Sequence, residues 1–438
     1  MNDFAQNLKQ KVLDIIQEMG LNPSPFVKNP DSDFTRKRKL DFETLLKLTL
    51  SMEGSSVKKE LLTYFNFAVD TATASAYNQQ RSKVHPEAFD YLFHKFTDEI
   101  ESHKLLNGYR LIACDGSDIN IARNPNDTDY YVQSFPSDKG FNQIHLNVFF
   151  DLLNRTYTDA VIQPRRKVQE VRSCIEMIDR SDFSEKVILI ADRGYENYNI
   201  FAHAEEKNWN YVVRVKDIFS NGIVSGLNVP KEGSFDKTIS LLLTRRQTKE
   251  VKSNPDKYKF MPRNQKFDYL SENDKGTYPL CFRIVRFPIS EKSFETIITN
   301  LKEDEFPPMK IKDLYNLRWG VETSFRELKY AIGLTHFHAK KVDYIKQEIF
   351  ARLTLYNFCE AITSHVILQQ QKHTKHSYQV NFTMAIYICK YFLKHNNDID
   401  PPDVDMLIQK HTLPVRPGRK VPRKVRPKTT VSFLYRVA

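Results

Sequence analysis

Two short apolar runs, each closed by an aspartate, constrain the fold of this chain most. The runs are YRLIACD, which ends at Asp115, and KVILIAD, which ends at Asp192. A short apolar run bounded by polar residues is typical of a strand buried on both faces. Open α/β sheets hold their ligands beyond the carboxyl ends of such strands. The sequence therefore predicts a buried sheet with two carboxylates at one rim.

The segments around these runs predict strands that point in both directions. IHLNVFFDLL and TYTDAVIQP resemble two further strands, VQEVRSCIEMIDR has helical spacing, and a helix near NIFAHAEEKN precedes the strand NYVVRVK. Three strands, a helix, a strand, a helix and a strand make an α/β sheet of mixed direction. Between about residues 220 and 300, runs such as TISLLLT, PLCFRIVRF and ETIITNL predict a mainly β insertion.

Helical patterns dominate the two ends of the chain. Residues 1–105 are predicted to be mostly helical, and two long helices are predicted near 342–371 and 380–395. The first region joins a basic cluster to a helix expected to present polar side chains. Gln, Arg and Lys suit groove and phosphate contacts, although they are also ordinary surface residues. The cluster is Arg36, Lys37, Arg38 and Lys39, and the helix carries Tyr77, Gln79, Gln80, Arg81 and Lys83.

The charge balance favours an anionic partner. The chain has 65 Lys and Arg against 54 Asp and Glu, a formal charge of +11, which makes nucleic acid the first candidate. The tail LPVRPGRKVPRKVRPKTT places Arg419 and Arg423 among prolines, so it is predicted to be extended. It is either a phosphate-tracking arm or a flexible solubilising tail.

The cysteines and the apolar runs point to the cytoplasm. Five cysteines without CxxC spacing are interpreted as reduced core thiols, neither disulfides nor a zinc site. No apolar run reaches the roughly 18 residues of a membrane-spanning helix, and the first residues do not resemble a signal peptide. The expectation is a cytoplasmic protein without membrane contact.

The segment YNLRWGVETSFRELK places a third carboxylate within a helix. At 3.6 residues per turn, Tyr315, Arg318, Glu322 and Lys329 form one polar stripe beside an apolar stripe. The simplest interpretation is a solvated face with weak ion pairs. Two rim aspartates, however, repel each other unless a cation lies between them. Mg²⁺ is held by one or two carboxylates, and a third acid allows a pair of ions.

The motifs DGSD, ADRGYENY and Tyr-x2-Arg-x3-Glu-x6-Lys resemble the DDE transposases of bacterial insertion sequences, specifically the insertion-sequence-four family. The resemblance implies a ribonuclease H-like mixed sheet with a β-rich insertion before the glutamate helix, and helical N- and C-terminal regions. It implies that Asp115, Asp192 and Glu322 bind two Mg²⁺ ions, with Mn²⁺ as a substitute. DNA contacts are then expected from one tyrosine and several cationic side chains. These residues are Tyr315, Arg318, Lys329, Arg193, Arg36, Arg38, Arg81, Arg419 and Arg423.

The same resemblance implies a reaction and its partners. A metal-activated water cleaves each transposon end, and the freed 3′ hydroxyl attacks target DNA, as in cut-and-paste transposition. Holding two inverted-repeat ends implies a homodimer acting at the bacterial nucleoid. Hairpin formation stays open, because neither tryptophan lies in the insertion and an aromatic such as Phe294 would have to stack instead.

The expected organisation divides the chain into six segments. They are a helical DNA-binding region (1–105), the first part of the catalytic core (106–219), the β-rich insertion (220–305), the second part of the core with the glutamate helix (306–340), C-terminal helices (341–400) and a basic tail (401–438).

Two other functions stay open, and the neighbouring side chains receive simpler roles. The alternatives are a transposase-derived DNA-binding protein without catalysis, and a phosphatase that uses Asp115 as its nucleophile.

Asp118 is expected to be a turn acid, and Glu196 a helix-start residue favoured by the helix dipole. Glu327 lies about 140° around the helix from Glu322. His336 and His338 are expected at the surface or on the DNA backbone.

Overall fold

The computed structural model describes residues 3–101, 104–133, 135–273, 275–291, 293–366, 377–394 and 401–415. The helices in these ranges are α1 (Asp3–Leu21), α2 (Phe42–Ser51), α3 (Val57–Tyr64), α4 (Ala74–Arg81), α5 (Glu87–Asp98), α6 (Glu170–Arg180), α7 (Tyr198–Glu206), α8 (Lys249–Ser253), α9 (Pro308–Leu317), α10 (Trp319–Arg326), α11 (Val342–His365), α12 (Phe382–Lys394) and α13 (Val404–Lys410). The strands are β1 (Tyr109–Ile121), β2 (Tyr131–Val132), β3 (Phe141–Asp151), β4 (Thr156–Pro164), β5 (Lys186–Ala191), β6 (Asn210–Val215), β7 (Phe235–Thr244), β8 (Tyr258–Phe260), β9 (Thr277–Ser290), β10 (Ser293–Thr299), β11 (Tyr378–Val380) and β12 (Thr412–Pro414).

One large mixed sheet organises the molecule. Its order is β2-β3-β1-β5-β6-β10-β9-β7-β8, with β4 also paired to β3. β1 runs antiparallel to β3 and parallel to β5, and β5 runs parallel to β6. The predicted succession of three strands, helix, strand, helix and strand is confirmed as β1, β3, β4, α6, β5, α7 and β6. The short strand β2 was not predicted.

The predicted β-type runs between residues 220 and 300 form strands of this same sheet. TISLLLT lies in β7, PLCFRIVRF in β9 and ETIITNL at β10. β10 pairs antiparallel with β6, and β9 and β7 follow it. The sheet therefore continues without a break from the acid-bearing strands into this stretch.

The first apolar run does not end at Asp115, and the prediction of a strand end there was wrong. β1 continues to Ile121 because it still pairs with β3, where Asp115 faces Val148 and Ile119 faces Ile144. Its other neighbour, β5, stops at Ala191 opposite Cys114. Asp115 therefore lies at the point where β1 loses its parallel partner, and the edge beyond it is open.

Helices cover both faces of the sheet. On one face the N-terminal helices share a hydrophobic core with β1, β3, α10, α11 and α12. On the other face α6 and α7 pack against β5, β6, β7 and β9. α11 is buried along most of its length, and the enclosed side chains include polar as well as apolar residues. The N-terminal and C-terminal helices therefore form one layer.

Arg81 belongs to this layer, and its predicted exposure was wrong. Its side chain is fully buried. Nε of Arg81 donates to Oε1 of Gln347 at 2.7 Å, and Nη1 lies 2.8 Å from Oε1 of Glu348. Tyr77 and Gln80 of the same helix are also buried. The side chain of Arg81 therefore anchors α4 to α11.

The cysteine prediction holds for four of the five residues. Cys114, Cys174, Cys359 and Cys389 are buried, and all five are free thiols. Cys281 is exposed near the start of β9, where it alternates with the buried Leu280 and Phe282. Within the described ranges, none of the helices combines the length and apolar character needed to span a membrane.

Replacing Arg81 with alanine should test its role as an anchor. The change leaves the buried carboxylate of Glu348 without its guanidinium, which typically costs about 3–5 kcal/mol. We expect Arg81→Ala to lower the free energy of unfolding by about that amount in urea denaturation followed by circular dichroism. Gln79→Ala, at an exposed position of the same helix, is the control. Equal stability of the two variants would contradict the assignment.

Candidate active site

Asp115 and Asp192 lie side by side on neighbouring strands. Asp115 follows Cys114 and Asp192 follows Ala191, and these two preceding residues are paired across β1 and β5. Adjacent strands are about 4.8 Å apart. The backbone N–H of Gly116 donates to Oδ1 of Asp115 at 2.8 Å. The carboxylate of Asp192 accepts from the N–H of Gly194 at 2.7 Å, which forms the turn after β5. Both carboxylates are thus held by the backbone that follows them.

Glu322 reaches the same rim from α10. The helix packs on β1 through Val321 and Phe325, which are buried in the shared core. Nη2 of Arg318 donates to Oε1 of Glu322 at 2.7 Å, and Nη1 lies 3.7 Å from Oδ2 of Asp115. One guanidinium therefore contacts carboxylates that come from distant parts of the sequence.

The segment 315–329 is not one regular helix, so its predicted single stripe was wrong. α9 ends at Leu317, α10 ends at Arg326, and Glu327–Ile332 is a π-helical segment closed by Gly333 at φ 91°. The wider π turn moves Lys329 off the spacing of 3.6 residues. Nζ of Lys329 donates to Oγ of Ser117 at 2.6 Å and to the carbonyl of Asp118 at 2.9 Å.

Tyr315 and Arg318 are more enclosed than a surface stripe would be. Tyr315 is 4% exposed and Arg318 is 7% exposed. In the described part of the chain, the hydroxyl of Tyr315 and Nε of Arg318 have no hydrogen-bond partner. The guanidinium lies beside the rings of Tyr315 and Trp319, 5.7 Å and 5.6 Å from their centroids. The structure gives Tyr315 a packing position and leaves Arg318 directed at the acids.

The surroundings of Asp115 shift its protonation. Burial raises the pKa of Asp115 to about 6. The N–H of Gly116 and the charge of Arg318 lower this pKa, whereas Asp192 and Glu322 raise it. Like charges in one cleft oppose ionisation in this way unless a cation intervenes. The rim is therefore a place where a positive charge is favoured.

The donor set fits a hard divalent cation in its chemistry, because it consists of carboxylate oxygens. Among the residues that the structure describes, however, no three His, Cys, Asp or Glu side chains are grouped closely enough to hold one ion. The guanidinium of Arg318 contacts both Glu322 and Asp115 at this edge.

Several neighbouring side chains differ from the sequence-based expectations. Asp118 is a strand residue of β1 and not a turn acid, because β1 is longer than predicted; it pairs with His145 and Arg165. His338 is not at the surface but is buried, with Nδ1 3.1 Å from Oε2 of Glu348. Glu327 is half-buried and lies 3.1 Å from Arg155, and it accepts a hydrogen bond from the hydroxyl of Tyr356 at 3.0 Å.

Glu196 follows the turn after Asp192 and holds the end of β6. Its carboxylate accepts from the N–H groups of Lys216 at 2.8 Å and Ile223 at 2.5 Å. It therefore fixes the loop beyond β6.

The remaining residues predicted to contact DNA differ in how exposed their side chains are. Arg36 and Arg38 are exposed in the loop before α2, and Arg193 is exposed in the turn after Asp192. Arg81 is enclosed, as described above. Arg419 and Arg423 lie outside the described residues. Of these predicted contacts, Arg193 is the exposed cation that lies next to one of the acids.

A histidine behind the acids was missed by the sequence interpretation. His145 on β3 lies between Asp118 and Glu170 and beneath Gly116. A Cβ built on Gly116 would clash with Nε2 of His145 and would lie 3.2 Å from Oδ1 of Asn147. The glycine of DGSD was the available signal, because a glycine in a strand often marks a close approach.

Comparisons with known proteins agree on one class. A family model described as a transposase DDE domain matches residues 106–358, more than half of the chain. Similar proteins include the putative transposase InsL for insertion sequence element IS186A of Escherichia coli strain K12 and the transposase for insertion sequence element IS421 of Escherichia coli. Each is 39% identical over 57 residues, which span 13% of this chain and 15% of the relative.

A solved structure is also similar over much of its length. The cryo-EM structure of a piggyBac transposase synaptic complex with hairpin DNA aligns with a TM-score of 0.43 and 9% identity. The alignment covers 93% of this chain and 84% of that chain.

Adding one methyl group at Gly116 should test how tightly the site is built. Because Gly116→Ala places a Cβ against His145, we expect a loss of about 1–3 kcal/mol in unfolding free energy, the usual cost of overpacking. Thermal denaturation of the two proteins measures it. Gly54→Ala is the control, since a Cβ there meets nothing within 4 Å. Two equally stable variants would show that His145 moves aside freely.

Proposed function

Because this chain belongs to the transposase DDE-domain family, we propose that it is a transposase of the insertion-sequence-four type that cuts and joins the DNA ends of its own element. The observation that carries the proposal is the position of Arg318, which contacts Asp115 and Glu322 beside Asp192. Three acids separated widely along the chain thus face one open edge of the sheet.

The sheet order supports a ribonuclease H-like core. Strand β3 runs antiparallel to both β4 and β1, and β5 and β6 follow parallel to β1. The core comprises residues 106–219 and 306–340, with 220–305 as the β-rich insertion. The helices of 1–105 and 341–400 flank it as regions for DNA binding and assembly, and residues 401–438 form the basic tail.

Asp115, Asp192 and Glu322 are the residues that would hold divalent metal. Two bound Mg²⁺ ions, or Mn²⁺ in their place, supply an activated water and stabilise the leaving oxygen during phosphodiester cleavage. The chain's own contribution begins with Arg318. A DNA phosphate competes with Glu322 for its guanidinium, because both are bidentate anions. DNA binding thereby releases the third carboxylate toward the two aspartates.

The partners are transposon-end inverted repeats and target DNA. Arg193 lies next to Asp192 and can reach a phosphate near the cut, while Arg36, Arg38 and the tail with Arg419 and Arg423 contact DNA farther from it. Holding two ends requires a homodimer in which each subunit cuts one end. The protein would act on nucleoid DNA in the bacterial cytoplasm.

A second candidate is a transposase-derived DNA-binding protein without catalysis. It is favoured by the ion pair between Arg318 and Glu322, and by the absence, among the described residues, of three acids grouped closely enough to hold one ion. It predicts binding to the element's ends without cleavage at any Mg²⁺ or Mn²⁺ concentration.

Removing any of the three carboxylates should abolish cutting but retain DNA binding. Asp115→Asn, Asp192→Asn and Glu322→Gln are each expected to reduce Mg²⁺-dependent nicking by about a thousandfold, on the order of losing a major electrostatic group in an active site. The substrate is a plasmid that carries the DNA flanking this gene, and gel shifts measure binding. Asp313→Asn, at an exposed position on α9, is the control. Unchanged nicking in a variant would refute the role of that acid.

Cleavage should also depend on pH through Asp115. A proton competes with the metal for this carboxylate, whose pKa is raised to about 6, so cleavage should rise as the pH increases through about 6. Arg318 lowers that pKa, and Arg318→Gln should therefore shift the rise to higher pH. Rates at saturating DNA, measured from about pH 5 to 9, test this. Lys37→Gln, which removes an exposed cation, should leave the profile in place, and an unshifted profile for Arg318→Gln would contradict the interpretation.

A further inference from the structure

His145 joins two charged side chains on the side of the sheet away from Glu322. It is 5% exposed. Nδ1 of His145 lies 2.7 Å from Oδ1 of Asp118, its cross-strand neighbour on β1. Nε2 lies 3.2 Å from Oε1 of Glu170 at the start of α6, an ion-pair contact without the alignment of a hydrogen bond. Burial alone would lower the pKa of His145, but the two carboxylates raise it to about 9, so the ring is charged at neutral pH.

The first of these contacts fixes the backbone after Asp115. The ring of His145 occupies the space that a side chain at Gly116 would need, so it lies directly against the residue that follows the acid. Asp118 is also held by Nε of Arg165 at 3.2 Å, and its carbonyl accepts from Lys329. Side-chain contacts on both faces of the sheet therefore hold β1 in place within three residues of Asp115.

The second contact reaches the turn after Asp192. A Cβ built on Gly194 would lie 3.4 Å from Oε2 of Glu170 and 3.1 Å from Oδ1 of Asp192. The carboxylate of Glu170 thus faces Gly194, whose N–H holds Asp192, across the space that a Cβ would fill. A single imidazole connects the backbone beside one acid to the turn beside the other.

We propose that His145 is a positioning residue, which holds Gly116 and, through Glu170, the turn of Gly194 at one separation and thereby sets the affinity of Asp115 and Asp192 for a divalent cation. This rests on the proposed function, since it assigns metal to those two acids. His145 does not touch the metal or the DNA. Removing a side chain that orients metal ligands typically weakens metal affinity by roughly 10- to 100-fold.

The chain contains a matched control for such a bridge. His203 on α7 is 8% exposed and also lies between two carboxylates, with Nδ1 2.7 Å from Asp179 and Nε2 3.1 Å from Asp268. It joins α6, α7 and the loop before β9, and it is not among the nearest neighbours of Gly116 or Gly194. Its loss removes a similar buried bridge without disturbing the acids.

The test measures Mn²⁺ binding to the full chain by electron paramagnetic resonance, with element-end DNA bound and the Mn²⁺ bound by DNA alone subtracted, together with the melting temperature of each variant. His145→Ala should weaken Mn²⁺ binding by about tenfold, whereas His203→Ala should leave it within about twofold of the wild type, although both lower the melting temperature. Glu170→Gln changes a side chain that is 38% exposed and removes the charge that faces His145. It should weaken binding in the same direction, and it decides the question if His145→Ala does not fold.

The outcomes separate the two proposals. If wild-type protein binds Mn²⁺ and Asp115→Asn abolishes that binding, while His145→Ala and Glu170→Gln lose only thermal stability, His145 is structural and the inference is wrong. If binding falls equally in His203→Ala, the effect is general and the inference is again wrong. If wild-type protein does not bind Mn²⁺, or Asp115→Asn binds it unchanged, the proposed function fails and the role of His145 fails with it.

Discussion

The unequal lengths of β1 and its neighbours are the constraint on which the site depends. β5 stops at Ala191, while β1 continues along β3 for several residues. Asp115 therefore lies where the sheet narrows from two neighbours of β1 to one, and Asp192 lies at the tip of the shorter strand. The gap beyond β5 is where a helix can approach the rim. α10 uses it, and its buried residues Val321 and Phe325 bring Glu322 to the two aspartates.

Bringing three carboxylates together has an electrostatic cost that the fold offsets locally. Asp192 and Glu322 both raise the pKa of Asp115, and Arg318 lowers it. A guanidinium that contacts two of the acids stabilises the chain before any ligand arrives. The acids are near one another and yet not grouped as metal ligands in the described residues. In the proposed function the same side chain transfers its contact from Glu322 to a phosphate.

Local patterns predicted the longer strands of the large sheet and their succession along the chain, but not the pairing that places the site. The runs around Asp115 and Asp192 were recognisable because buried strands are continuously apolar. The continuation of β1 past Asp115 was missed because Gly116, Ser117 and Asp118 interrupt the apolar run, and only their pairing with β3 makes them a strand. The burial of Arg81 depends on Gln347 and Glu348, far along the chain. The π turn at Glu327–Ile332 leaves no mark in an amphipathic pattern, so the spacing of Lys329 was misjudged.

The buried arginines also clarify what the net charge of +11 means. Arg81 is paired with Glu348, Arg283 with Asp236 and Arg286 with Asp217, each within the fold. A buried guanidinium that is matched by a carboxylate adds nothing to the field outside the protein. The positive excess must therefore reside in cations that these pairs do not include. Exposed residues such as Arg36, Arg38 and Arg193 belong to that group.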